Sequence, residues 1–304
     1  YKALKRMYPK VYNEIKQRVK EGRWEVIGGM FVEPDGNLPG AESFVRQVLF
    51  GKRFFRQEFG VDTRTCWMPD VFGAIYTLPQ ILKKAGIDYF TTIKLNTWND
   101  TNEFPHSTFW WQGLDGSRVL THFPPTHFGE AYEPRILCRH WKDFAQKEEL
   151  HESLMMYGAG DGGGGPTRES VAASLRAASF PGLPSTTIEL AEDYFRRIEK
   201  KAQKLPVWDN ELYLEAHRGT MTTRADLKKR NRKAEILYRD AEILSSTALA
   251  LGAASARDTL NAGWEKILLN QFHDTLPGTH IKECGPDIDQ DYRDIFAAGE
   301  TVRD

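Results

Sequence analysis

Apolar residues recur at helical spacing through much of the chain, and short apolar runs separate the helical segments over its first two thirds. Runs of this kind are typical of buried strands. The predicted helices cover 4–19, 44–59, 78–85 and the residues around Tyr194. The predicted strands cover 24–27, 65–68, 89–92, 154–157 and 187–190. Strands that alternate with helices form a parallel sheet with helical crossovers, so the pattern predicts an α/β barrel or a doubly wound sheet.

The alternation ends in the last third of the chain, where the pattern becomes purely helical. Apolar residues line one face of each of three successive helices. These residues are Leu227, Ala234, Leu237, Ala241, Leu244 and Ala248; Leu260, Trp264, Ile267 and Leu268; Ile288, Tyr292, Ile295 and Phe296. The sequence therefore predicts an α/β domain over 1–222 and a three-helix bundle over 223–304.

The charge balance restricts the kinds of partner. Lys and Arg number 41 and Asp and Glu 42, so no net field favours nucleic acid, an anionic membrane or a polyanion. No apolar run approaches the length of a transmembrane helix. The three cysteines are widely separated and form no paired motif, which favours reduced thiols in a cytosol-like compartment. We expect a neutral partner.

Asp70 directly follows the predicted strand 65–68, in the segment Trp67-Met68-Pro69-Asp70-Val71-Phe72-Gly73. A barrel presents its reactive side chains at the carboxyl ends of its strands, which favours a catalytic role. Asp is also a preferred helix-capping residue. From this segment alone, both interpretations stay open.

Asp161 is the single acidic residue of the glycine-rich loop 158–167, which precedes a helix that Pro166 can begin. The glycines permit unusual backbone shapes and leave one carboxyl group in an otherwise bare loop. A phosphate-binding loop is disfavoured because the Gly-Lys-Ser/Thr ending is absent and an anion stands in its place. A flexible linker is disfavoured by the apolar patterns on both sides.

His273 and Asp274 lie at the end of the second predicted bundle helix. A lone His at such a position is more often a structural cap than a metal ligand. The adjacent carboxylate, and the polar Gln271 beside an apolar stripe, favour a functional imidazole and carboxylate where the bundle meets the barrel.

Other candidate residues also follow predicted strands or lie at the domain junction. The segment 33–37 follows the first strand and Lys94 the third, which places both at the active-site edge of a barrel. Trp98, Trp110 and Trp111 are mainly expected in the core or in a hairpin that turns at 114–117, although one of them could stack on a sugar ring. The segment 215–220 lies at the domain junction and is a further candidate. Its alternative interpretation is an ordinary charged surface turn.

Seven segments, in this order, resemble glycoside hydrolase family 38, the class II α-mannosidases, and particularly the branch with cytosolic and vacuolar enzymes. They are GGMFVEPDGNLP (28–39), WMPDVFG (67–73), LPQILKKAGIDYF (78–90), NDTNEFPHSTFWW (99–111), GDGGGGPTRE (160–169), ELYLEAHRGT (211–220) and LLNQFHDTLPGT (268–279). The resemblance spans nearly the whole chain. It implies an interior fragment that holds most of the catalytic barrel and of the three-helix domain.

The resemblance also implies a role for individual residues. Asp70 would be the nucleophile and a zinc ligand, Asp161 the general acid/base, and His273 a second zinc ligand. The candidate substrate-binding residues are Lys94, Asp274, Asp35, Trp98 and Arg218. The implied reaction is the retaining hydrolysis of α-linked mannose from oligosaccharides, in which the zinc ion binds sugar hydroxyls. Such a reaction needs two carboxyl groups about 5 Å apart.

The resemblance is incomplete at the start of the chain. The family's other zinc ligands come from a His-x-Asp motif, which we expect upstream of Tyr1, so we expect the chain alone to be inactive. Ala74 and Met221 stand where the family usually has Tyr.

Two other functions stay open: a carbohydrate-binding protein without catalysis, and a metal-dependent deacetylase on a related barrel that acts through a metal-bound water. We expect a cytoplasmic or vacuolar protein, and a homo-oligomer is compatible with the sequence.

Overall fold

The computed structural model describes residues 1–161 and 164–304 and shows a mixed α/β fold followed by three long helices. The helices are α1 (Lys2–Met7), α2 (Pro9–Lys20), α3 (Ala41–Phe59), α4 (Leu78–Lys84), α5 (Lys94–Thr97), α6 (Pro134–Asp143), α7 (Lys147–Leu150), α8 (Arg168–Ala177), α9 (Ala191–Glu199), α10 (Ala225–Ala250), α11 (Arg257–Asn270) and α12 (Gly285–Arg303). The strands are β1 (Thr65–Trp67), β2 (Gly73–Ala74), β3 (Tyr89–Thr91), β4 (Thr108–Gln112), β5 (Arg118–His122), β6 (Val207–Trp208) and β7 (Leu212–Tyr213).

Five strands form one sheet in the order β1-β3-β5-β4-β6. Its neighbouring strands are parallel except β4 and β5, which form an antiparallel hairpin with Trp110 opposite Leu120. The predicted parallel-dominated sheet and the predicted hairpin are confirmed. β1 and β3 are parallel neighbours, so their carboxyl ends lie side by side. Asp70 and Lys94, which follow these two strands, are therefore close together.

The strands predicted at 24–27, 154–157 and 187–190 are wrong, since these segments form no strand in the described part of the chain. Side chains take part in the hydrogen bonding there. The Leu154 carbonyl accepts from the His122 imidazole, and the Glu25 carboxylate accepts from the backbone N–H groups of Ala191 and Glu192. These segments are not uniformly buried either, since Trp24 is 44% and Ile188 is 61% exposed. A strand also needs a backbone partner.

The helix predicted over 4–19 is interrupted at Tyr8. Pro9 follows it, and a residue before proline is pushed out of the helical conformation. The structure accordingly has two helices, α1 and α2. The remaining predicted helices are confirmed, and the longest of the α/β part, α3, ends at Gly60 in the left-handed conformation that favours glycine.

Apolar side chains cover both faces of the sheet. On one face Phe90 packs with side chains of α3 and α4, such as Phe44 and Leu82. On the other face Tyr89 stacks on Phe195 of α9, with 5.0 Å between the ring centroids. Burial of each such side chain contributes about 1.5–3 kcal/mol, so these two layers hold the sheet in place.

The three carboxyl-terminal helices share a third apolar core. Tyr238 of α10 contacts Trp264 of α11 edge to face, and its hydroxyl donates to the Ile295 carbonyl of α12 at 3.0 Å. Gly263 lies directly against this hydroxyl, where a Cβ would overlap with it. The absence of a side chain there lets α10 and α11 approach closely.

None of the helices in 1–161 and 164–304 has the length and apolar character needed to cross a bilayer.

Two histidines are buried beside the sheet. Nδ1 of His122 lies 2.8 Å from Thr108 Oγ1, and Nδ1 of His140 lies 2.8 Å from Thr126 Oγ1. Burial lowers the pKa of His122 to about 3 and that of His140 to about 4. Both imidazoles are therefore neutral in the folded protein at neutral pH.

Because both histidines are buried in the neutral form, we expect the folded protein to lose stability in acid. The unfolded chain binds protons at these side chains near pH 6.5, whereas the folded chain does not until the pH is much lower. Stability contributed by the neutral forms is thus complete above pH 6.5 and falls as the pH drops towards the folded pKa values. At pH 5 each histidine lowers the free energy of unfolding by about 2 kcal/mol relative to its value above pH 6.5.

Urea unfolding at pH 7 and pH 5 measures this loss. His122→Gln should reduce the difference between the two free energies of unfolding by about 2 kcal/mol. The matched control is His151→Asn, since His151 is exposed and left-handed, a conformation that Asn tolerates. An equal difference in wild type and His122→Gln would contradict the prediction.

Candidate active site

The carboxylate of Asp70 lies between two nitrogen groups that come from different parts of the chain. Its Oδ1 lies 2.7 Å from the Lys94 ammonium, and its Oδ2 lies 3.1 Å from Nε2 of His273. Asp70 follows β1, Lys94 begins α5 just after β3, and His273 follows α11. The structure thus brings together three of the residues predicted from the sequence.

Lys94 is buried and makes several contacts with the Asp70 segment. Its Nζ also donates to the backbone carbonyl of Asp70 at 2.8 Å. It lies over the ring of Phe72, 4.3 Å from the ring centroid. An ammonium held by a carboxylate, a carbonyl and an aromatic face has a fixed position.

The charges of the site shift the pKa values of its groups. Burial acts to raise the pKa of Asp70, but hydrogen bonds from His273 and Lys94 outweigh it and hold the pKa below its ordinary value. For His273 burial acts to lower the pKa, and the hydrogen bond to Asp70 with the charge of Glu33 raises it above its ordinary value. Asp70 is therefore ionised over the whole physiological range.

Glu33 belongs to the site; sequence reasoning placed its segment 33–37 at the active-site edge, but selected Asp35 from it as a substrate-binding residue. Its Oε1 accepts the backbone N–H of Asp70 at 2.6 Å, and its Oε2 lies 3.9 Å from Nδ1 of His273. Burial raises the pKa of Glu33 to about 7, although the charge of His273 acts to lower it. The available signal was its position in the polar segment after the first predicted strand.

Asp35, the residue selected from that segment, lies beside the site with its carboxylate engaged in its own loop. Oδ1 accepts the backbone N–H groups of Asn37 and Leu38 at 2.8 and 2.7 Å. The side chain is 2% exposed, and burial raises its pKa. Asp35 therefore shapes the turn that follows Glu33.

Short backbone pairing joins this loop to the end of α11. Pro34 and Phe272 form an antiparallel bridge, and the N–H of Asp35 donates to the Gln271 carbonyl at 2.8 Å. The N–H of His273 donates to the Glu33 carbonyl at 3.1 Å. These bonds fix the side chain of His273 against Asp70.

Asp274 lies next to His273 and is about half exposed. Its Oδ1 accepts the hydroxyl of Thr279 at 2.5 Å, and its Oδ2 lies 3.9 Å from Nε2 of His273. One carboxylate oxygen is thus held within the loop, while the other faces the site.

Aromatic rings line the approach to Asp70. His217 packs on Phe72 with 4.6 Å between centroids, and Trp98, which is 44% exposed, contacts His217 edge to face at 5.4 Å. Sequence reasoning selected Arg218 and missed His217. Arg218 is exposed and pairs with Glu215, away from Asp70.

Asp161 is exposed and left-handed, with φ 43°. Its neighbour Gly160 packs on Phe128, where a Cβ would lie 2.8 Å from the ring. His127 then stacks near Trp98, which connects this loop to the aromatic approach. No hydrogen bond or ion pair joins Asp161 to Asp70 among the residues described, and Gly162 and Gly163 of the loop lie outside them.

Two donors of the site fit a zinc ion. Ligands at 2.0–2.1 Å from one ion lie roughly 2.9–3.4 Å apart, and Oδ2 of Asp70 lies 3.1 Å from Nε2 of His273. Across 1–161 and 164–304, no group of three or more His, Cys, Asp or Glu side chains is arranged to hold a metal. The described residues thus contain two donors with a spacing that fits a metal ion, and no complete metal site.

Comparison with protein families and known proteins gives matches over nearly the whole length of the chain. The model "Glycosyl hydrolases family 38 N-terminal domain" matches residues 1–211, and "Alpha mannosidase middle domain" matches 215–304. Alpha-mannosidase G of Dictyostelium discoideum is 40% identical over 95% of this chain and 26% of its own length. Alpha-mannosidase 2C1 of Homo sapiens is 41% identical over 98% of this chain and 29% of its own length.

A solved structure has a similar fold. The crystal structure of an alpha-mannosidase from Enterococcus faecalis V583 superposes with a TM-score of 0.82, at 20% identity, over 98% of this chain and 35% of that one. The chain spans less than a third of the length of the two curated relatives named above. From its sequence matches, the chain belongs to glycosyl hydrolase family 38.

Proposed function

We propose that the chain carries the catalytic residues of a retaining α-mannosidase that releases α-linked mannose from oligosaccharides. The observation that carries this proposal is the Asp70 carboxylate, held anionic between the Lys94 ammonium and the His273 imidazole. The names of the relatives, which are α-mannosidases, agree with it.

In the proposed first step, an Asp70 oxygen attacks the anomeric carbon of mannose and the bond to the leaving oxygen breaks. Asp161 donates a proton to that oxygen, which leaves as an alcohol, and a mannosyl ester of Asp70 remains. Asp161, now a carboxylate, then takes a proton from water as the water attacks the anomeric carbon. The ester bond breaks, and mannose is released with its original configuration.

The surroundings of Asp70 support its role as the nucleophile. A nucleophilic carboxylate must be ionised, and the neighbouring Lys94 ammonium favours this without blocking access, since the side chain of Asp70 is 24% exposed. Glu33 accepts the Asp70 backbone N–H and so helps to fix the direction of the attacking oxygen. Lys94 then stabilises the carboxylate again when the ester breaks.

Asp70 and His273 would hold a zinc ion, whose chemistry is to bind sugar hydroxyls and favour distortion of the ring. The other candidate substrate contacts differ in their support. Asp274 has one oxygen facing the site and Trp98 presents a half-exposed ring, which suits hydroxyl and ring-face recognition. Asp35 and Arg218 are supported less, because their side chains are engaged elsewhere.

We further propose the domains, the location and the partners of the enzyme. The α/β part over 1–222 would belong to a barrel, and 223–304 would be a three-helix domain that contributes His273. The near-neutral charge and the free cysteines suit a cytoplasmic or vacuolar enzyme that acts on a neutral glycan, without nucleic acid or membrane partners. A homo-oligomer remains compatible with this proposal.

Replacing Asp70 with Asn in the intact protein tests the nucleophile. The amide keeps the size of the side chain but cannot form the ester, so hydrolysis of an aryl α-mannoside should fall at least roughly 10³-fold. Asp115→Asn is the matched control, since Asp115 pairs with Lys84 in the exposed hairpin turn, and should keep wild-type activity. Near-normal turnover by Asp70→Asn would refute the role. With an acetylated glycan as the substrate of the wild-type protein, release of acetate instead of mannose would favour a deacetylase.

Removing the Asp161 carboxyl tests the acid/base role. Asp161→Ala should hydrolyse mannosides with poor leaving groups very slowly but retain the first step with an activated dinitrophenyl leaving group. Added azide should then attack the mannosyl ester and give α-mannosyl azide, with the original configuration. A β-configured product would contradict a retaining mechanism, and equal loss with all leaving groups would contradict the acid role.

The donor set predicts weak zinc binding by the 304-residue chain, because Asp70 and His273 are two ligands where zinc sites normally have three or more from protein. Calorimetric titration should show an affinity that falls further in His273→Gln. His280→Gln, in the same loop, should bind zinc as wild type does. Tight binding of one zinc per chain would show that the ligand set is larger than these two residues.

A further inference from the structure

Lys228, near the start of α10, binds three backbone carbonyl groups with one ammonium. Its Nζ donates to the carbonyls of Leu276 and Pro277 at 3.1 Å each, and to the carbonyl of Thr223. An ammonium has three N–H donors, so all of them are used. Two of the three bonds reach a loop that is 48 and 49 positions away in sequence.

That loop, residues 272–280, carries His273 and Asp274. It consists of successive turns, in which the N–H of Leu276 donates to the Phe272 carbonyl and the N–H of His280 donates to the Asp274 carbonyl. In the described residues no backbone N–H donates to the carbonyls of Leu276 or Pro277. Lys228 supplies the donors that these two carbonyls lack, as cationic side chains do at helix ends.

A second contact holds the same loop against the start of α10. Gly278 has φ 91°, and a Cβ at this position would lie 2.7 Å from Arg224. Arg224 itself is left-handed, with φ 52°. Such conformations persist in non-glycine residues when the surroundings determine them, so the loop and the start of α10 fix each other.

Lys228 is also one of the cationic groups that act on the buried Asp35, together with His273. Burial raises the pKa of Asp35, and the charge of Lys228 opposes that rise together with the backbone N–H groups of Leu38 and Asn37. The N–H of Asp35 in turn donates to the Gln271 carbonyl, just before the loop. Lys228 therefore joins the start of α10 to the 272–280 loop, and this loop pairs with the segment that carries Glu33.

We propose that Lys228 is a positioning residue, whose ammonium fixes the 272–280 loop so that His273 and Asp274 face Asp70. It lies behind the loop and acts through it. The catalytic consequence rests on the proposed function, whereas the effect on the loop does not.

Lys228→Met in the full chain tests this inference, because methionine keeps an unbranched apolar stem but has no donor. Hydrogen exchange of the 272–280 amides should become at least tenfold faster, while exchange in α3 and α12 stays as in wild type. Lys229→Met, the exposed neighbour on the same helix, is the matched control and should leave the loop unchanged. Lys228→Arg should restore part of the protection. If Lys228→Met does not fold, Lys228→Gln, which keeps one donating group, takes its place.

The intact protein gives the second measurement. With an aryl α-mannoside, kcat should fall roughly ten- to hundredfold in Lys228→Met with a smaller change in KM, the range typical when a group that orients a metal ligand is lost. Unchanged exchange in the loop overturns the inference, and so does faster exchange with wild-type kcat. If the wild type hydrolyses no mannoside, the proposed function fails, and the exchange measurement alone decides whether Lys228 holds the loop.

Discussion

The site depends on a backbone pairing only three residues long, between 33–35 and 271–273. The α/β part supplies Glu33 and Asp70, and the helical part supplies His273, so neither part contains the site alone. The pairing is supported by a buried polar network. The amide of Gln271 donates to Asn231 of α10 at 3.0 Å and to Ser43 of α3 at 2.9 Å. A buried network of this kind is costly when partly satisfied, and therefore specifies one arrangement of the two parts.

The carboxylates of Asp70 and Glu33 lie close to each other in this site, but their hydrogen-bond partners differ. Asp70 accepts from an ammonium and from an imidazole, and hydrogen bonds of this charged kind contribute about 1.5–3 kcal/mol each. Glu33 accepts one neutral backbone N–H and lies 3.9 Å from the imidazole. Hydrogen bonds therefore outweigh desolvation at Asp70, and its pKa is lowered. At Glu33 desolvation is the larger effect, and its pKa is raised. Asp70 is thus kept anionic, whereas the pKa of Glu33 is raised to about 7.

Sequence reasoning identified the elements and the long-range partners better than it identified individual side chains in turns. Helical periodicity located α3 and α10, and strand ends located Asp70 and Lys94, because both follow from regular geometry. In a turn no period tells which residue faces a site. Asp35 was selected where Glu33 faces Asp70, since the carboxylate of Asp35 is engaged by its own loop.

The same limit explains Arg218, which was selected where the adjacent His217 packs on Phe72. The wrong strands have another cause: whether a segment such as 154–157 or 187–190 pairs depends on a neighbouring backbone, which the segment's own sequence cannot specify. Family resemblance supplied what geometry could not, namely the order of the motifs and the link between His273 and Asp70.

In the proposed mechanism the two aspartates face opposite requirements, and their surroundings differ. Asp70 is fixed by neighbours within the fold, whereas Asp161 lies exposed on a loop whose nearest anchor is the contact of Gly160 with Phe128. A general acid must keep its proton, which water around its carboxyl opposes and desolvation favours. The aromatic approach from Phe128 past Trp98 to Phe72 offers apolar faces on which a sugar can rest. A bound glycan would then exclude water from the mouth of the loop, so that the substrate itself completes the environment of the acid while the nucleophile is already prepared without it.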